Sequence, residues 1–505
     1  MSEPTDAPSP RMARRRVLQA GAGVGVLAVA GGATALALAR DGVDRIGPRS
    51  PEVAAAERAR ARSGRTVSRR LTAAPGTVDL AGRSARTTVY DGALPGREIR
   101  AAVGDRLRIT MTNGLDDPTT VHWHGLALRN DMDGVPDVTM TPTAPGATTT
   151  YDFAVPHAGT YWYHPHVELQ RDGGLSGPLV VEDPDEPLSY DEDVVLHLDD
   201  WTDGVGRSPQ ANLEDLARNG MGDMGGMEMS SDGGVDATHP LGTDTGDVAY
   251  PLHLVNGRPP ADPYVVSTRP GRRIRFRLVN AGGDTAYRVA IGGHRMTVVA
   301  SDGFPVEPVE VDALVIGMAE RYDVLVTAGD GAFPIDVVPE GKEDPPARAV
   351  LRSASGVTPA AGAAGPAGRL LTYADLRPTE AVALRARKPD ATLPVVLRMV
   401  RGGRTWTIND KTYDEHEPLD VLSGQRVRLV LDNRTTMFHP MHLHGHTYAV
   451  VSGGRPGVRK DTVNVLPGQR LAVDLDTDNP GQWLLHCHNL YHGALGMMTV
   501  VSYVR

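Results

Sequence analysis

A single cysteine, Cys487, lies between two histidines in the stretch WLLHCHNLYHGALGMM, residues 483–498. The chain of 505 residues has no other cysteine, so this thiol has no partner for an intramolecular disulfide. His492 and Met497 follow closely along the chain. Thiolate, imidazole and thioether groups are soft or borderline ligands that suit copper and other transition metals. The stretch therefore predicts a metal site built around Cys487.

A repeated segment indicates how the chain is divided. GDRLRITMTN (104–113), GRRIRFRLVN (271–280) and GQRVRLVLDN (424–433) each begin with Gly, alternate apolar and polar residues, and end with Asn. Such alternation is typical of a half-buried strand, and Gly and Asn are turn residues. Three copies predict an all-β protein of three consecutive Greek-key β-barrel or sandwich domains.

Four His-x-His pairs stand in register with this repeat, two in the first copy and two in the third. Nine residues after the final Asn come HWHG and HLHG, and HPH and HCH follow near the end of each copy. Residues i and i+2 of a strand share a face, so each pair presents two imidazoles side by side. Eight imidazoles are too many for one ion and predict a shared site between the two copies. They are His122, His124, His164, His166, His442, His444, His486 and His488.

The third copy contains ligand types that the first copy lacks. Where the first copy has Thr119, Pro165, Gln170 and Leu175, the third has His439, Cys487, His492 and Met497. Two His, one Cys and one Met form the ligand set of a blue-copper electron-transfer centre. Strand alternation points Cys487 away from the face that its two histidine neighbours use. The sequence thus predicts two adjacent metal sites connected by the HCH segment.

The remaining segments predict the domain boundaries and the destination of the protein. Arg14, Arg15 and Arg16 precede an uncharged stretch over 17–39, which resembles a twin-arginine export signal or could remain as a membrane anchor. An acidic EDPDEP run and a low-complexity linker separate the repeat copies. We predict a signal or anchor (1–40), a flexible leader (41–70), a first domain (71–188), a second domain with a Met-rich loop (189–345), a linker (346–388) and a third domain (389–505). We expect the protein to be secreted, periplasmic or anchored outside the cytoplasmic membrane.

The charge balance argues against nucleic acid as a partner. The chain carries 52 Lys and Arg against 62 Asp and Glu, a net charge of −10. Nucleic-acid binding needs basic side chains to neutralise phosphates. Seven further histidines show no register with the repeat, and we expect them at the surface or as hydrogen-bond partners of ligands: His157, His197, His239, His253, His294, His416 and His446.

These motifs resemble those of the multicopper oxidases, in particular the laccase-like group with three cupredoxin domains. HWHG, HPH, HPMHLHGH and HCHNLYHGALGM carry the resemblance, which covers about residues 75–505. It implies four copper ions and an enzyme that couples one-electron oxidation of a donor to four-electron reduction of O2 to water. It also implies a type 1 copper on His439, Cys487, His492 and Met497, a type 2 copper on His122 and His442, and a type 3 pair on His124, His164, His166, His444, His486 and His488.

Carboxylates near the copper cluster are expected to supply protons for water formation. In DMDGVP, Asp133 matches the position of the family's acid near the type 2 copper. An alternative interpretation is a turn residue before Gly134. Many bacterial members carry a Glu directly after the second type 1 histidine, but this position is Gly493 here. A second relay acid is therefore missing from the motif.

The electron donor is predicted from methionines, because thioethers select Cu(I). Met437 matches a methionine near the type 1 site of bacterial cuprous oxidases, although Thr435 stands where those enzymes have a carboxylate. MGDMGGMEM adds a Met-rich loop, namely Met221, Met224, Met227 and Met229. We favour Cu(I) oxidation in copper tolerance, with broad laccase activity on phenols and aromatic amines as the alternative. A copper-storage or electron-transfer cupredoxin without turnover, or a nitrite reductase, would not need four His-x-His pairs with an HCH link.

Overall fold

The computed structural model describes residues 42–167, 169–220, 233–354, 368–400 and 402–505. Within these ranges the chain forms six β-sheets, arranged as two sheets in each of three successive domains. Three α-helices are described, at α1 (Pro51–Ala59), α2 (Pro209–Asn219) and α3 (Leu490–Ala494). The predicted all-β class is confirmed.

Two four-stranded sheets enclose the core of the first domain. The strands are β1 (Thr66–Leu80), β2 (Arg83–Tyr90), β3 (Ile99–Ala102), β4 (Arg106–Asn113), β5 (His122–His124), β6 (Thr148–Ala154), β7 (Gly159–His164) and β8 (Gly177–Glu182). One sheet has the order β2-β1-β4-β6 and the other β3-β8-β7-β5. Their facing side chains, including Ile109 and Trp123, are fully buried. The metal-binding motifs thus lie in one sheet that packs on the other.

The second domain has a six-stranded and a five-stranded sheet. Its strands are β9 (Glu192–Trp201), β10 (Leu252–Val255), β11 (Tyr264–Ser267), β12 (Arg273–Asn280), β13 (Tyr287–Ile291), β14 (Met296–Ser301), β15 (Phe304–Val311), β16 (Leu314–Ile316), β17 (Arg321–Thr327), β18 (Ala332–Pro339) and β19 (Ala347–Arg352). The orders are β10-β9-β12-β17-β14-β15 and β11-β19-β18-β13-β16.

The third domain repeats this arrangement. Its strands are β20 (Ala391–Val400), β21 (Thr405–Ile408), β22 (Leu419–Val421), β23 (Arg426–Asn433), β24 (His439–Leu443), β25 (Tyr448–Ser452), β26 (Arg455–Lys460), β27 (Thr462–Val465), β28 (Arg470–Asp476), β29 (Gln482–Cys487) and β30 (Met498–Tyr503). The sheet orders are β21-β20-β23-β28-β25-β26 and β22-β30-β29-β24-β27.

The repeated segment occupies the same place in all three domains. It forms β4, β12 and β23, each paired with a parallel strand on one side and an antiparallel strand on the other. In β4 the buried and exposed residues alternate as predicted. In β12 nearly every residue is buried, because its arginines meet carboxylates such as Asp323 and Asp193 instead of solvent.

The expected flexible leader is wrong for the described residues 42–70. Helix α1 occupies Pro51–Ala59, and β1 begins at Thr66 within the segment assigned to the leader. Ile46 and Val53 are buried, and Ile46 N donates to the Tyr503 carbonyl at 2.8 Å. The segment is ordered because its apolar side chains pack on the end of the chain, a contact that an Arg- and Ala-rich composition does not reveal.

The predicted boundary at residue 345 also differs from the structure. Strand β19, Ala347–Arg352, lies in the second domain, where it pairs with β18 and β11. Residues beyond the undescribed gap also contact this domain, since Leu371 N donates to the Ala313 carbonyl at 3.0 Å. The predicted linker therefore supplies a strand and packing contacts to the second domain.

The predicted signal or anchor over 1–40 lies outside the described residues. No helix in the described ranges is long and apolar enough to cross a membrane.

Candidate copper centre

Cross-strand pairing brings the histidine motifs of each domain together. In the first domain, β5 runs antiparallel to β7, and His122 lies opposite His164. In the third domain, β24 runs antiparallel to β29, and His442 lies opposite His486. Directly opposed residues on antiparallel strands have their side chains about 5 Å apart. Each domain therefore presents its own cluster of imidazoles from two neighbouring strands.

The two clusters meet across the interface between the first and third domains. The His122 ring stacks on His444 with centroids 3.8 Å apart, and the His124 ring stacks on His442, also at 3.8 Å. This reciprocal pairing gives the approximate two-fold relation that the repeated motifs predict. The structure brings all eight predicted histidines into one centre, in which every one except the half-buried His166 is buried.

Within this centre the ring nitrogens form groups of three that could hold a metal ion. In each group the ligand atoms all lie within 4.8 Å of one another. Every group contains histidines of both domains: some have two from the first domain and one from the third, and another has one from the first and two from the third. Neither domain can therefore complete the centre alone. The groups are His124, His164 and His488; His166, His444 and His486; and His122, His124 and His442.

The donor set fits copper, because imidazole nitrogens point into the centre without hydrogen-bond partners. Among the described residues these unpartnered atoms are Nε2 of His122, His164, His166 and His442, and Nδ1 of His124. The opposite nitrogen is usually occupied: Nδ1 of His122 donates to the Asp133 carbonyl at 2.8 Å, and Nδ1 of His442 to the Asp461 carbonyl at 3.0 Å. Burial lowers the pKa of His164 and His166, which keeps these rings neutral and able to bind metal.

A second group lies on the other side of the HCH segment. Cys487 Sγ is 3.7 Å from His439 Nδ1 and 3.6 Å from His492 Nδ1, and these two nitrogens are 3.1 Å apart. Met497 is fully buried, and its carbonyl accepts from Cys487 N at 3.0 Å. Sγ therefore faces a separate set of ligands while His486 and His488 face the eight-histidine centre, as strand alternation predicts.

Helix α3 holds His492 in this second group. The side chain of Asn489 caps the helix by accepting from Tyr491 N and His492 N. The indole of Trp406, from β21, lies over the His492 ring with centroids 4.0 Å apart. Gly493 is buried, and no carboxylate stands at this position. Two buried acids contact this helix: Asp172 of the first domain accepts from the Tyr491 hydroxyl at 2.8 Å, and Asp284 of the second domain accepts from Asn489 Nδ2 at 2.6 Å.

Asp133 contacts candidate ligand histidines of both copies. Its Oδ2 lies 2.9 Å from His444 Nδ1, its Oδ1 lies 3.2 Å from His122 Nδ1, and it is fully buried. The residue does precede a glycine of positive φ, at +82° for Gly134. It is therefore both a turn residue and a hydrogen-bond partner of two imidazoles, so the two interpretations do not exclude each other.

The two histidines of the second group each have a hydrogen-bond partner at Nε2, and only one of these partners lies in a sequence motif. His439 Nε2 donates to Thr435 Oγ1 at 2.8 Å. A hydroxyl is therefore the partner here, at the position where the resemblance to cuprous oxidases implies a carboxylate. His492 Nε2 donates to Asp247 Oδ2 at 2.8 Å. Sequence reasoning missed Asp247, because it comes from the second domain, which contains none of the His-x-His motifs. Although burial lowers the pKa of His492, Asp247 and Cys487 outweigh it and raise this pKa to about 10.

The other predicted methionines and histidines lie outside the groups of candidate metal ligands or outside the described residues. Met437 is buried, and its carbonyl accepts from Asn433 Nδ2 at 2.8 Å. Met221, Met224, Met227 and Met229 lie outside the described residues. None of the seven other histidines joins a metal-ligand group among the described residues. His446 contacts a ligand, with its Nδ1 3.1 Å from the His444 carbonyl. His197, His253 and His416 are buried, which corrects a surface location for them.

Comparisons with known proteins identify the family. Profiles of multicopper oxidase domains match residues 72–186, 192–355 and 388–504. A multicopper oxidase of Mycobacterium tuberculosis, MmcO, is 48% identical over 456 residues, which cover 89% of this chain and 90% of that protein.

The chain belongs to the multicopper oxidase family.

Other relatives support this membership. A copper resistance protein A homolog of Pseudomonas syringae pv. tomato is 29% identical, over 85% of this chain and 91% of that protein. The crystal structure of Fet3p, described as a multicopper oxidase that functions in iron import, superposes with a TM-score of 0.74 and 25% identity, covering 87% of this chain and 90% of that chain. The three domains are thus cupredoxin-like, and the protein is a copper-dependent oxidoreductase with O2 as the electron acceptor.

Proposed function

We propose that this multicopper oxidase binds four copper ions and takes its electrons from Cu(I). His439, Cys487, His492 and Met497 would hold the type 1 ion, and His122 and His442 the type 2 ion. His124, His164 and His488 would hold one type 3 ion, and His166, His444 and His486 the other. When bound, the copper ions accept electrons one at a time and deliver four to O2. The geometry that supports this division is the separation of ligand groups on the two sides of the HCH segment.

The covering of His492 supports a metal ion as the electron donor. The His492 ring is fully buried, Trp406 covers one face, and Asp247 occupies the outward nitrogen. The Asp247 side chain is itself only 3% exposed. A phenol cannot reach this ring without displacing Asp247, whereas for a metal cation the Asp247 carboxylate is itself a possible ligand. Asp247 is therefore the residue through which we expect electrons to enter.

The segments that flank the Met-rich run support the same donor. On one side, a Cβ at Gly220 would lie 2.1 Å from the Gly402 carbonyl, in the hairpin that leads to Trp406. On the other side, a Cβ at Gly233 would lie 2.6 Å from the Thr436 carbonyl, three residues before His439. The described chain thus contacts the third domain beside type 1 ligands both before and after the Met-rich run. Thioethers select Cu(I).

Asp133 is proposed to hold protons for the reduction of O2. Its carboxylate contacts His122 and His444, and Oδ1 has no hydrogen-bond partner among the described residues. We propose no second acid at Gly493. We also propose that the protein is exported, on the basis of its N-terminal arginines and uncharged stretch.

Oxidation of phenols and aromatic amines is the second candidate. The observation that favours it is Thr435, whose hydroxyl replaces a carboxylate at the outward nitrogen of His439. This side of the type 1 group then lacks the negative charge that would attract a metal ion. The two donors can be separated by experiment.

We would compare turnover of Cu(I) and of a dimethoxyphenol in the wild type and in Asp247→Asn. Because the variant removes the charge and keeps the shape, we expect kcat/KM for Cu(I) to fall at least tenfold and that for the phenol to change little. Asp236→Asn is the control, since this exposed acid contacts His239 and no type 1 ligand. Equal losses for both donors would contradict a carboxylate-guided metal donor.

A deletion of residues 219–234 tests the Met-rich run separately. We expect loss of Cu(I) oxidation, with phenol oxidation retained or increased. If Cu(I) oxidation survives intact, the run is not the entry site for Cu(I).

A further inference from the structure

A buried ionic network joins the second and third domains beside the histidine centre. Arg321, at the start of β17, donates through Nη1 to Asp461 Oδ1 at 2.7 Å and through Nη2 to Asp461 Oδ2 at 2.5 Å. Both side chains are completely buried. Lys460 extends the network with contacts to Asp302 at 3.2 Å and Glu320 at 3.0 Å. Two cations from two domains thus pair with three carboxylates away from solvent.

Asp461 in turn contacts two of the histidines. Its Oδ1 lies 3.2 Å from His124 Nε2, and its carbonyl lies 3.0 Å from His442 Nδ1. These contacts occupy one nitrogen of each ring and leave the other, His124 Nδ1 and His442 Nε2, unpartnered in the centre. Asp461 therefore decides which nitrogen of each imidazole is available to metal. Such partners fix the tautomer and the orientation of a ligand.

The glycine of the HWHG motif makes room for this ion pair. Gly125 has a φ of +88°, and a Cβ there would lie 2.4 Å from Arg321 Nη2 and 2.7 Å from Asp461 Oδ2. The Tyr161 ring closes the third side, with the Arg321 guanidinium carbon 5.6 Å from its centroid. The Arg321–Asp461 pair consequently sits directly against the backbone that follows His124.

We propose that Arg321, acting through Asp461, is a positioning residue for the type 2 ligand His442 and for the neighbouring type 3 ligand His124. The planar guanidinium fork fixes both carboxylate oxygens, and the fixed Asp461 orients His442 and His124. Lysine cannot reproduce this two-point contact. The second domain holds no copper ligand in the proposed assignment, and this pair gives it a defined part in building the copper centre. The inference rests on the proposed type 2 ligands His122 and His442.

The test is Arg321→Lys in the full chain, loaded with copper. Loss of a ligand-orienting partner typically costs about 10–100-fold in metal affinity. We expect the type 2 electron paramagnetic resonance signal and one copper per chain to be lost at limiting copper, with the blue absorption of the Cys487 centre retained. The control is Arg426→Lys, which alters another buried arginine with a two-point contact, and whose hydrogen bonds go to Asp476 and to the Arg385 carbonyl.

The outcomes separate this inference from the proposed function. Wild-type protein that binds no type 2 copper would contradict the proposed function itself. Full type 2 occupancy with an unchanged spectrum in Arg321→Lys would overturn the positioning role. If Arg321→Lys does not fold, the double variant Arg321→Met with Asp461→Leu removes the isolated buried charge. A folded double variant without type 2 copper supports the inference, and one with normal type 2 copper overturns it.

Discussion

Gly134, which follows Asp133 in DMDGVP, has no room for a side chain. A Cβ at this position would lie 2.1 Å from the Val121 carbonyl oxygen, in the residue before His122. Real Cβ contacts do not fall below 3.0 Å, so Gly134→Ala must move the loop by about 0.9 Å. That loop carries the Asp133 carbonyl and carboxylate that contact His122 and His444. The substitution therefore tests whether the turn positions the ligands.

The cost can be worked out from two contributions. Alanine at a φ of +82° costs about 1–2 kcal/mol, and overpacking against the Val121 backbone adds about 1–3 kcal/mol. We therefore expect Gly134→Ala to lower the free energy of unfolding by about 2–5 kcal/mol. A displacement of about 1 Å near reacting groups can reduce a rate about 100-fold. O2 consumption should fall by that order even at temperatures where the variant remains folded.

Gly424→Ala is a matched control for this prediction. Gly424 also has a φ of +82°, but a Cβ there would meet no atom within 4 Å. It should lose only the backbone contribution of about 1–2 kcal/mol and keep its copper and activity. Denaturant unfolding, copper content and O2 consumption would be measured on both variants. If Gly134→Ala is no less stable than Gly424→Ala and retains full activity, the reasoning is refuted.

Two further predictions follow from the type 1 group and from the buried acids. Met497→Leu should raise the type 1 redox potential, because a thioether ligand is lost; Met498→Leu is the control, and an unchanged or lower potential would refute Met497 as axial ligand. Burial is the main cause that raises the pKa of Asp172 to about 8, and the negative charge of the nearby Asp200 is the second. The folded state then holds an extra proton between about pH 4 and this value, so Asp172 makes the free energy of unfolding fall as pH rises through that window. Unfolding titrations of Asp172→Asn should show a weaker decline than the wild type, and an equal or steeper decline would contradict the buried-acid assignment.

The repeated strands and histidine motifs were predictable because they depend on local spacing. Alternation identifies β4, β12 and β23 as strands, and i,i+2 spacing places two imidazoles of each motif on one face. The single cysteine is equally informative, because a residue between two inward-facing histidines must point the other way. These features need no knowledge of distant contacts.

The leader and the linker were mispredicted for the opposite reason. Their compositions resemble flexible segments, yet Ile46 N donates to the Tyr503 carbonyl, and β19 belongs to a sheet of the second domain. Whether such a segment is ordered depends on the surface that it meets, and sequence composition contains no information about that surface. Asp247 was missed similarly, since it reaches His492 across 245 residues of sequence.

The sequence by itself predicted which residues bind copper, and that they come from the first and third β-domains. The tertiary structure decided which nitrogen of each imidazole is free, because that depends on partners such as Asp133 and Asp461. It also decided that the second domain, without His-x-His motifs, supplies Asp247, which contacts His492, and Arg321, which binds Asp461 beside His124 and His442. Periodicity fixes the direction of a side chain along a strand, but only the docking of domains brings charges from distant segments within hydrogen-bonding distance.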